Sequence, residues 1–234
     1  RGSVVLRFNM PGAMQMTGLK LGQFVAIRGD WDGQQLVGYY SPITLPNERG
    51  VLGLLARKDK GSLREWITAL RPGDAVHMKA CPGIAIERIP ERAELVFEGH
   101  RIRKFGFVAG GTGIAPMLQL IRAALLKERK IGTATRLDLV YAAKNEDEIL
   151  LREVLEAHAA KHPSLSLYYA LMEPPAEWDM GVGFITPDMM AARLPPPAPS
   201  TMILICGPPP FCAAMRRGLD SLGYLDGEHY YSYC

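Results

Sequence analysis

Cysteine is scarce in this chain and lacks metal-binding spacing. The 234 residues contain four cysteines, none in the CxxC pattern that is typical of zinc and iron–sulfur sites. The five histidines also lack metal or catalytic-triad spacing. We therefore predict no metal site, and we expect free thiols in a reducing, intracellular setting. The cysteines are Cys81, Cys206, Cys212 and Cys234.

Long apolar runs and blocks of one charge are also absent. No apolar run has the length of a membrane span, and no signal peptide is present. The net charge is only +3 with a pI near 8.7, and no basic block is interleaved with aromatic residues, which argues against nucleic-acid binding. With 48% hydrophobic and 22% charged residues, the composition is typical of a globular protein with one large or two small domains.

The chain begins inside a strand-like pattern. Residues Val4–Phe8 follow Arg1 closely, and no initiator methionine precedes them. We therefore expect a piece of a longer polypeptide, whose upstream part could hold a membrane anchor or a fused partner domain. The expected location is the cytoplasm or the cytoplasmic face of a membrane.

The first hundred residues predict an antiparallel β domain. Short β-like runs are separated by clusters of Gly, Pro, Asp and Asn, a spacing typical of a small barrel. One helix is predicted over Ser62–Leu70, and the charged segment 87–103 is interpreted as a connection that ends the domain near residue 100. The predicted strands are Leu21–Ile27, Gln34–Tyr40, Val51–Ala56 and Ala75–Lys79.

Residues 101–234 predict an α/β domain, because strand-like and helix-like runs alternate. This alternation is typical of a parallel sheet covered on both faces, with ligands bound at the carboxyl ends of its strands. The predicted strands are Phe105–Ala109, Leu137–Ala142, Leu165–Leu171 and Met202–Cys206. The predicted helices are Ala115–Arg129, Glu148–Lys161, Pro187–Leu194 and Pro210–Leu222.

A glycine-rich turn joins the first of these strands to its helix. The sequence Gly110-Gly111-Thr112-Gly113 would let a phosphate approach the backbone at a helix N-terminus, where N–H groups and the helix dipole favour negative charge. An ordinary tight turn would have the same sequence. The interpretation therefore depends on the other motifs of the chain.

Three motifs in chain order resemble the NADH–cytochrome b5 reductase family and the related reductase modules of nitrate reductases. They are Tyr39-Tyr40-Ser41-Pro42, the glycine turn with Ile114-Ala115-Pro116-Met117, and Cys206-Gly207-Pro208-Pro209-Pro210. The resemblance implies a ferredoxin reductase-like fold, with an FAD-binding barrel over 1–100 and an NAD(P)H-binding domain over 101–234. It also implies hydride transfer from NADH to FAD and single-electron transfer to a haem protein such as cytochrome b5.

On the flavin side, the resemblance assigns Tyr40 to packing on the flavin and Ser41 to a hydrogen bond with its redox-active nitrogen. A strand end ordered by Pro42 is the structural alternative. Gly38 stands where the family has an arginine that faces the FAD pyrophosphate. Arg57 matches a basic position near the nucleotides, although a solvated strand charge would look the same.

A second cation could replace the missing arginine. The turn Gly61-Ser62-Leu63 matches the family's phosphate-binding turn, and Arg64 follows it where a hydroxyl is expected. We hypothesise that Arg64 supplies the charge that Gly38 lacks. An exposed helical arginine paired with an acid is the alternative.

On the nicotinamide side, the resemblance assigns the glycine turn, with Thr112 as a donor, to the nucleotide. Cys206 would orient the nicotinamide ring without acting as a nucleophile, because no base stands at a suitable spacing; a buried core cysteine is the alternative. Gly207, Pro208 and Pro209 would shape the same slot.

Glu148 matches an acid that disfavours the 2′-phosphate of NADPH, or it complements a helix dipole. Lys144 would favour NADPH, and on balance NADH is expected.

Two further functions remain open. The chain could be the reductase module of a larger haem electron-transfer protein. It could also be a nucleotide-binding domain in which the loss of the arginine at position 38 has weakened flavin binding.

Overall fold

A computed structural model describes residues 2–58, 60, 63–89, 94–126 and 135–234. Its contacts divide the chain into two units, Arg1–Ala85 and Ile86–Cys234. The composition predicts a domain boundary near residue 100, whereas the contact division comes earlier because it counts a small sheet over 87–102 with the second unit. No helix in the described ranges is long and apolar enough to cross a membrane.

The first unit is built from antiparallel strands. β2 lies between β3 and β5, and β1 pairs with β4 over its whole length. Side chains alternate along β2, so that Val25 and Ile27 are buried while Arg28 is exposed, as expected for a sheet with one covered face. The elements are β1 Ser3–Asn9, β2 Phe24–Trp31, β3 Gln34–Tyr40, β4 Val51–Arg57, α1 Leu63–Ala69 and β5 His77–Cys81.

The core of this unit explains the position of α1. Leu63 and Ile67 are one helical turn apart and both are buried, because residues four positions apart share a helix face. Ile67 belongs to the same apolar cluster as Ile27 and Leu54. The predicted antiparallel β domain with one helix is therefore confirmed.

The second unit contains a six-stranded sheet in the order β12-β11-β10-β9-β13-β14, with parallel pairing throughout. Phe105, Phe107 and Val108 of β9 are fully buried, which requires cover on both faces of the sheet. The predicted α/β domain is confirmed. Its elements are β6 Glu87–Ile89, β7 Glu94–Phe97, β8 His100–Ile102, β9 Lys104–Gly110, α2 Ile114–Leu125, β10 Arg136–Ala143, α3 Arg152–Lys161, β11 Leu165–Leu171, β12 Gly181–Val182, α4 Pro187–Arg193, β13 Thr201–Cys206, α5 Pro209–Ser221 and β14 Tyr230–Ser232.

The strand order places a crevice at the carboxyl end of β9. The chain passes from β9 to β10 on one side, and β13 pairs with the other side of β9. Two crossovers that leave in opposite directions open a gap at this edge, where ligands bind in such sheets. The glycine turn follows β9, and Cys206 ends β13.

The structure corrects two predictions about secondary structure. The segment 87–103 is not a plain connection, because β6, β7 and β8 form an antiparallel sheet there. Strands of three or four residues are too short to show a clear alternation in sequence. The helix predicted from Glu148 begins only at Arg152, because Leu151 has a left-handed backbone with φ +59°.

The prediction that all four thiols are free is wrong for one pair. Cys212 and Cys234 form a disulfide across 22 residues, with Cα atoms 6.4 Å apart. The parallel pairing of β14 with β13 brings the end of the chain back to the start of α5, and no sequence spacing reveals that return. Cys81 and Cys206 are free.

Candidate functional site

The glycine turn connects β9 to α2 as a short 3-10 turn over Gly111–Gly113. Gly111 has φ +55°, and no heavy atom lies within 4 Å of the place where its Cβ would be. The space beside this backbone is therefore open. The first turn of α2 has no acidic residue, and no side chain caps its N-terminus, so an anion would meet the positive end of the helix dipole.

Gly113 lets this turn touch the end of β13. A Cβ on Gly113 would overlap the carbonyl oxygen of Cys206 and would lie 2.9 Å from the amide nitrogen of Gly207. Any larger residue would push the two segments apart. The structure thus brings together two motifs that are about ninety residues apart in the sequence.

The cysteine–proline segment forms the other wall of the crevice. Cys206 pairs in register with Ala109 of β9. Pro208 precedes α5 and Pro209 is its first residue, as expected from the preference of proline for the first helical turn. The ring of Phe211 lies over this wall, since it is the nearest group to the Cβ positions of both Gly110 and Gly207, at 3.3 and 2.6 Å.

Cys206 is held as a neutral thiol. Burial raises its pKa to about 12, because a thiolate would lose its hydration in this environment. A protonated thiol is a poor nucleophile but a good packing and orienting group. The predicted orienting role of Cys206 is therefore compatible with its electrostatics.

The carboxyl end of β10 carries a cluster of acids. Glu148 ends a 3-10 turn over Glu146–Glu148. Lys144, the cation expected to favour NADPH, forms an ion pair with Glu173 at 3.5 Å. Arg152 is engaged by Glu146 and by Glu156. The cations near Glu148 thus have acidic partners, which leaves this end of β10 with an acidic balance.

Sequence reasoning missed Tyr141, which stands at the same end of β10. Its ring is fully buried, and its hydroxyl donates a hydrogen bond to the carbonyl oxygen of Gly111 at 2.8 Å. The hydroxyl oxygen of Tyr141 also accepts a hydrogen bond from the amide of Leu150 at 3.2 Å. The only signal in the sequence was a hydroxylated aromatic residue near the end of a largely apolar strand.

In the first unit, the predicted flavin residues lie at the end of β3. Tyr39 is 68% exposed, and its ring stands edge-on to Phe24 with centroids 5.8 Å apart. Tyr40 and Ser41 are half-buried, and Pro42 is buried against Leu54 through an isolated β-bridge. An exposed aromatic ring beside a hydroxyl suits a planar, polar-edged ligand.

The space beside Gly38 is already occupied. A Cβ at this position would lie 2.6 Å from Cδ2 of Leu63 and 2.9 Å from Cε2 of Tyr40. The positive charge of Arg64 acts on the Tyr40 hydroxyl, since it partly offsets the rise in the Tyr40 pKa that burial causes. A cation therefore stands near the predicted flavin aromatic, although it comes from α1 and not from β3.

Three other residues were predicted for the FAD site: Arg57, Gly61 and Ser62. Arg57 ends β4 with an exposed side chain. Gly61 and Ser62, predicted to bind phosphate, lie outside the described residues. Within the described ranges, no group of three His, Cys, Asp or Glu side chains could hold a metal ion.

Comparisons with known proteins assign one cofactor-binding domain to each part of the chain. The family described as the oxidoreductase FAD-binding domain matches residues 2–85, and the oxidoreductase NAD-binding domain matches residues 107–217. NADH-cytochrome b5 reductase 1 of Neosartorya fischeri is 38% identical over 225 residues, which are 94% of this chain and 70% of that enzyme. The chain belongs to the NADH-cytochrome b5 reductase family.

Other members and solved structures extend the match. NADH-cytochrome b5 reductase 1 of Emericella nidulans is also 38% identical, over 94% of this chain and 69% of that enzyme. The crystal structure of the cytochrome b5 reductase domain of Ulva prolifera nitrate reductase superposes with a TM-score of 0.87 at 28% identity, covering 99% of this chain and 92% of that domain. The predicted family and ferredoxin reductase-like fold are confirmed.

Membership of the NADH-cytochrome b5 reductase family also confirms the predicted cofactors. The chain is an oxidoreductase with an FAD-binding and an NAD-binding domain. The open backbone at Gly111 and the close approach at Gly113 suit the diphosphate of a dinucleotide, and the aromatic and cationic groups at the end of β3 suit FAD. The individual binding residues remain predictions.

Proposed function

We propose that this protein oxidises NADH and passes the electrons singly to a haem protein of the cytochrome b5 type. Bound FAD supplies the chemistry, because a flavin accepts a hydride and can release its two electrons one at a time. The protein's own residues bind and orient the two nucleotides. Residues 1–100 would carry FAD, and residues 101–234 would carry NADH.

The observation that supports the NADH site most strongly is the contact of Gly113 with the end of β13. It places an uncapped helix N-terminus and a neutral thiol at the switch point of a parallel sheet, where dinucleotides bind. In this proposal, Gly110–Gly113 holds the diphosphate and Thr112 donates a hydrogen bond to it. Cys206, Gly207, Pro208 and Pro209 form the slot for the nicotinamide ring.

The acidic end of β10 supports NADH over NADPH. Glu148 would accept a hydrogen bond from a ribose hydroxyl, whereas the 2′-phosphate of NADPH would be repelled by the carboxylates of the turn Glu146–Glu148. Lys144 could have offset that repulsion, but it is paired with Glu173.

On the flavin side, Tyr40 would pack against the ring system, and Ser41 would hydrogen-bond its redox-active edge. Arg64 would face the diphosphate of FAD in place of the arginine that position 38 lacks. The supporting observation is the charge of Arg64 at the Tyr40 hydroxyl. Tyr39, Pro42, Arg57, Gly61, Ser62 and Leu63 would complete the site.

The function is tested by electron delivery from NADH to purified cytochrome b5, followed by the haem spectrum. We expect NADH-dependent haem reduction that requires FAD in the preparation. A protein that contains FAD and is reduced by NADH, but that reduces no cytochrome b5, would contradict the proposed acceptor. Omission of the enzyme and omission of NADH are the two controls.

A second candidate is a reductase module joined in one polypeptide to its haem acceptor, with an upstream anchor that holds it at a membrane surface. The similarity to the reductase domain of nitrate reductase favours it. The coding sequence upstream of residue 1 tests this candidate. A haem-binding domain in the same reading frame is its expected result, and a stop codon directly upstream of a start codon would contradict it.

A further inference from the structure

Two adjacent loops of the second unit contain a left-handed residue each. Gly111 follows β9 with φ +55°, and Leu151 precedes α3 with φ +59°. Leucine is disfavoured in this conformation and stays there only where surrounding contacts hold it. Such residues cluster at ligand-binding segments, and both loops lie at the carboxyl edge of the parallel sheet, where ligands bind.

One buried hydroxyl joins the two loops. The Tyr141 hydroxyl donates to the carbonyl oxygen of Gly111 at 2.8 Å and accepts from the amide of Leu150 at 3.2 Å. The backbone of Tyr141 is held on both sides, because it pairs in register with Ala109 of β9 and with Tyr169 of β11. Burial raises the pKa of this phenol well above its usual range, so the group stays protonated and keeps its donor.

We propose that Tyr141 is a positioning residue for NADH, which holds the glycine turn and the 146–151 segment in one fixed arrangement before the nucleotide binds. This inference rests on the proposed function, in which the first segment receives the diphosphate and the second receives the ribose. Open space surrounds the Cβ position of Gly111, so the hydrogen bond from Tyr141 supplies a restraint that packing does not. A preorganised site binds more tightly because less ordering cost is left for the binding step.

The neighbouring tyrosine provides a matched control. Tyr169 is as buried as Tyr141, and the two rings meet edge-on with centroids 6.3 Å apart. Its hydroxyl is buried and has no hydrogen-bond partner among the described residues. Tyr169→Phe therefore removes a buried phenol oxygen, as Tyr141→Phe does, but it breaks no hydrogen bond to the glycine turn or to the 146–151 segment.

The experiment compares the wild type, Tyr141→Phe and Tyr169→Phe as FAD-loaded proteins. NAD+ binding is measured by titration calorimetry, steady-state kinetics with NADH use ferricyanide as acceptor, and thermal unfolding reports stability. We expect Tyr141→Phe to raise the Kd for NAD+ and the KM for NADH about tenfold, the effect of losing one to two buried hydrogen bonds. The kcat at saturating NADH should change little, because the lost interaction orders the binding site and not the reacting atoms. Tyr169→Phe should match the wild type in Kd and KM.

A purely structural role would give a different result. If Tyr141→Phe lowers the unfolding temperature but leaves Kd and KM unchanged, the inference is wrong. Failure of the wild type to bind NAD+ would instead contradict the proposed function. If Tyr141→Phe does not fold, hydrogen exchange of the wild type decides: NAD+ should slow exchange at the Leu150 amide together with the amides of 110–113, and an unchanged rate at Leu150 would overturn the inference.

Discussion

Residue 38 is glycine, where the family resemblance leads us to expect an arginine, and the structure leaves no room there for a larger side chain. Leu63 and Tyr40 fill the space beside Gly38, so a larger side chain would displace the aromatic residue that is proposed to pack on the flavin. Arg64 contributes its charge at the Tyr40 hydroxyl from the neighbouring helix. Arg64 is thus the cation that we propose for the flavin site in place of an arginine at position 38.

We predict that Arg64→Ala weakens FAD binding. A charge-assisted contact with a diphosphate contributes about 1.5–3 kcal/mol, so the Kd for FAD should rise at least tenfold, as measured by flavin release on dilution. Arg64→Lys should retain part of the affinity, because it keeps the charge and loses the fork geometry. Arg28→Ala, which removes an exposed arginine from β2 of the same unit, serves as the control; FAD retention in Arg64→Ala equal to that of this control would contradict the hypothesis.

The residues of the site differ in how far the sequence could predict them. Cys206 and the glycine turn could be selected from the sequence, because short motifs in a fixed order contain them, and their binding roles stay predictions. Tyr141 was not, since its role depends on two hydrogen bonds that form only when β9 and β10 pair in register. The ion-pair partner of Lys144 could not be predicted either, because Glu173 lies in the segment after β11, whereas Lys144 follows β10.

Among the described glycines, Gly113, in the turn between β9 and α2, has the Cβ position that lies nearest to the backbone of another segment. Gly113→Ala should therefore move the turn away from the end of β13, because the new Cβ would overlap the Cys206 carbonyl. Overpacking of this kind costs about 1–3 kcal/mol. We expect a lower unfolding temperature and a several-fold higher Kd for NAD+.

Gly12→Ala is the control for this substitution, because its Cβ would meet only Gln15 at an ordinary 3.6 Å. An NAD+ affinity and stability of Gly113→Ala equal to those of Gly12→Ala would contradict the close approach at the switch point.

The long elements followed from the sequence, and the short ones did not. The apolar run Phe105–Ala109 predicts β9, and the β-like runs that flank Gly33 predict β2 and β3. The sheet of β6, β7 and β8 was missed because each strand is short and rich in charge. The Cys212–Cys234 disulfide was missed because it depends on the return of β14 to the edge of the sheet.

At the scale of the whole molecule, the two units have the two folds that a flavin-dependent NADH reductase requires. The match to NADH-cytochrome b5 reductase 1 of Neosartorya fischeri covers 94% of the chain, so glycine at position 38 stands within an architecture that is otherwise that of the family.

The most direct test is anaerobic mixing of the purified, FAD-loaded protein with NADH or NADPH in a stopped-flow spectrometer, with the flavin absorbance as the signal. We predict that NADH bleaches the flavin rapidly, and that NADPH does so at least tenfold more slowly at equal concentration, because its 2′-phosphate meets the acidic end of β10. Failure of both donors to bleach the flavin, or a faster reaction with NADPH, would contradict this account.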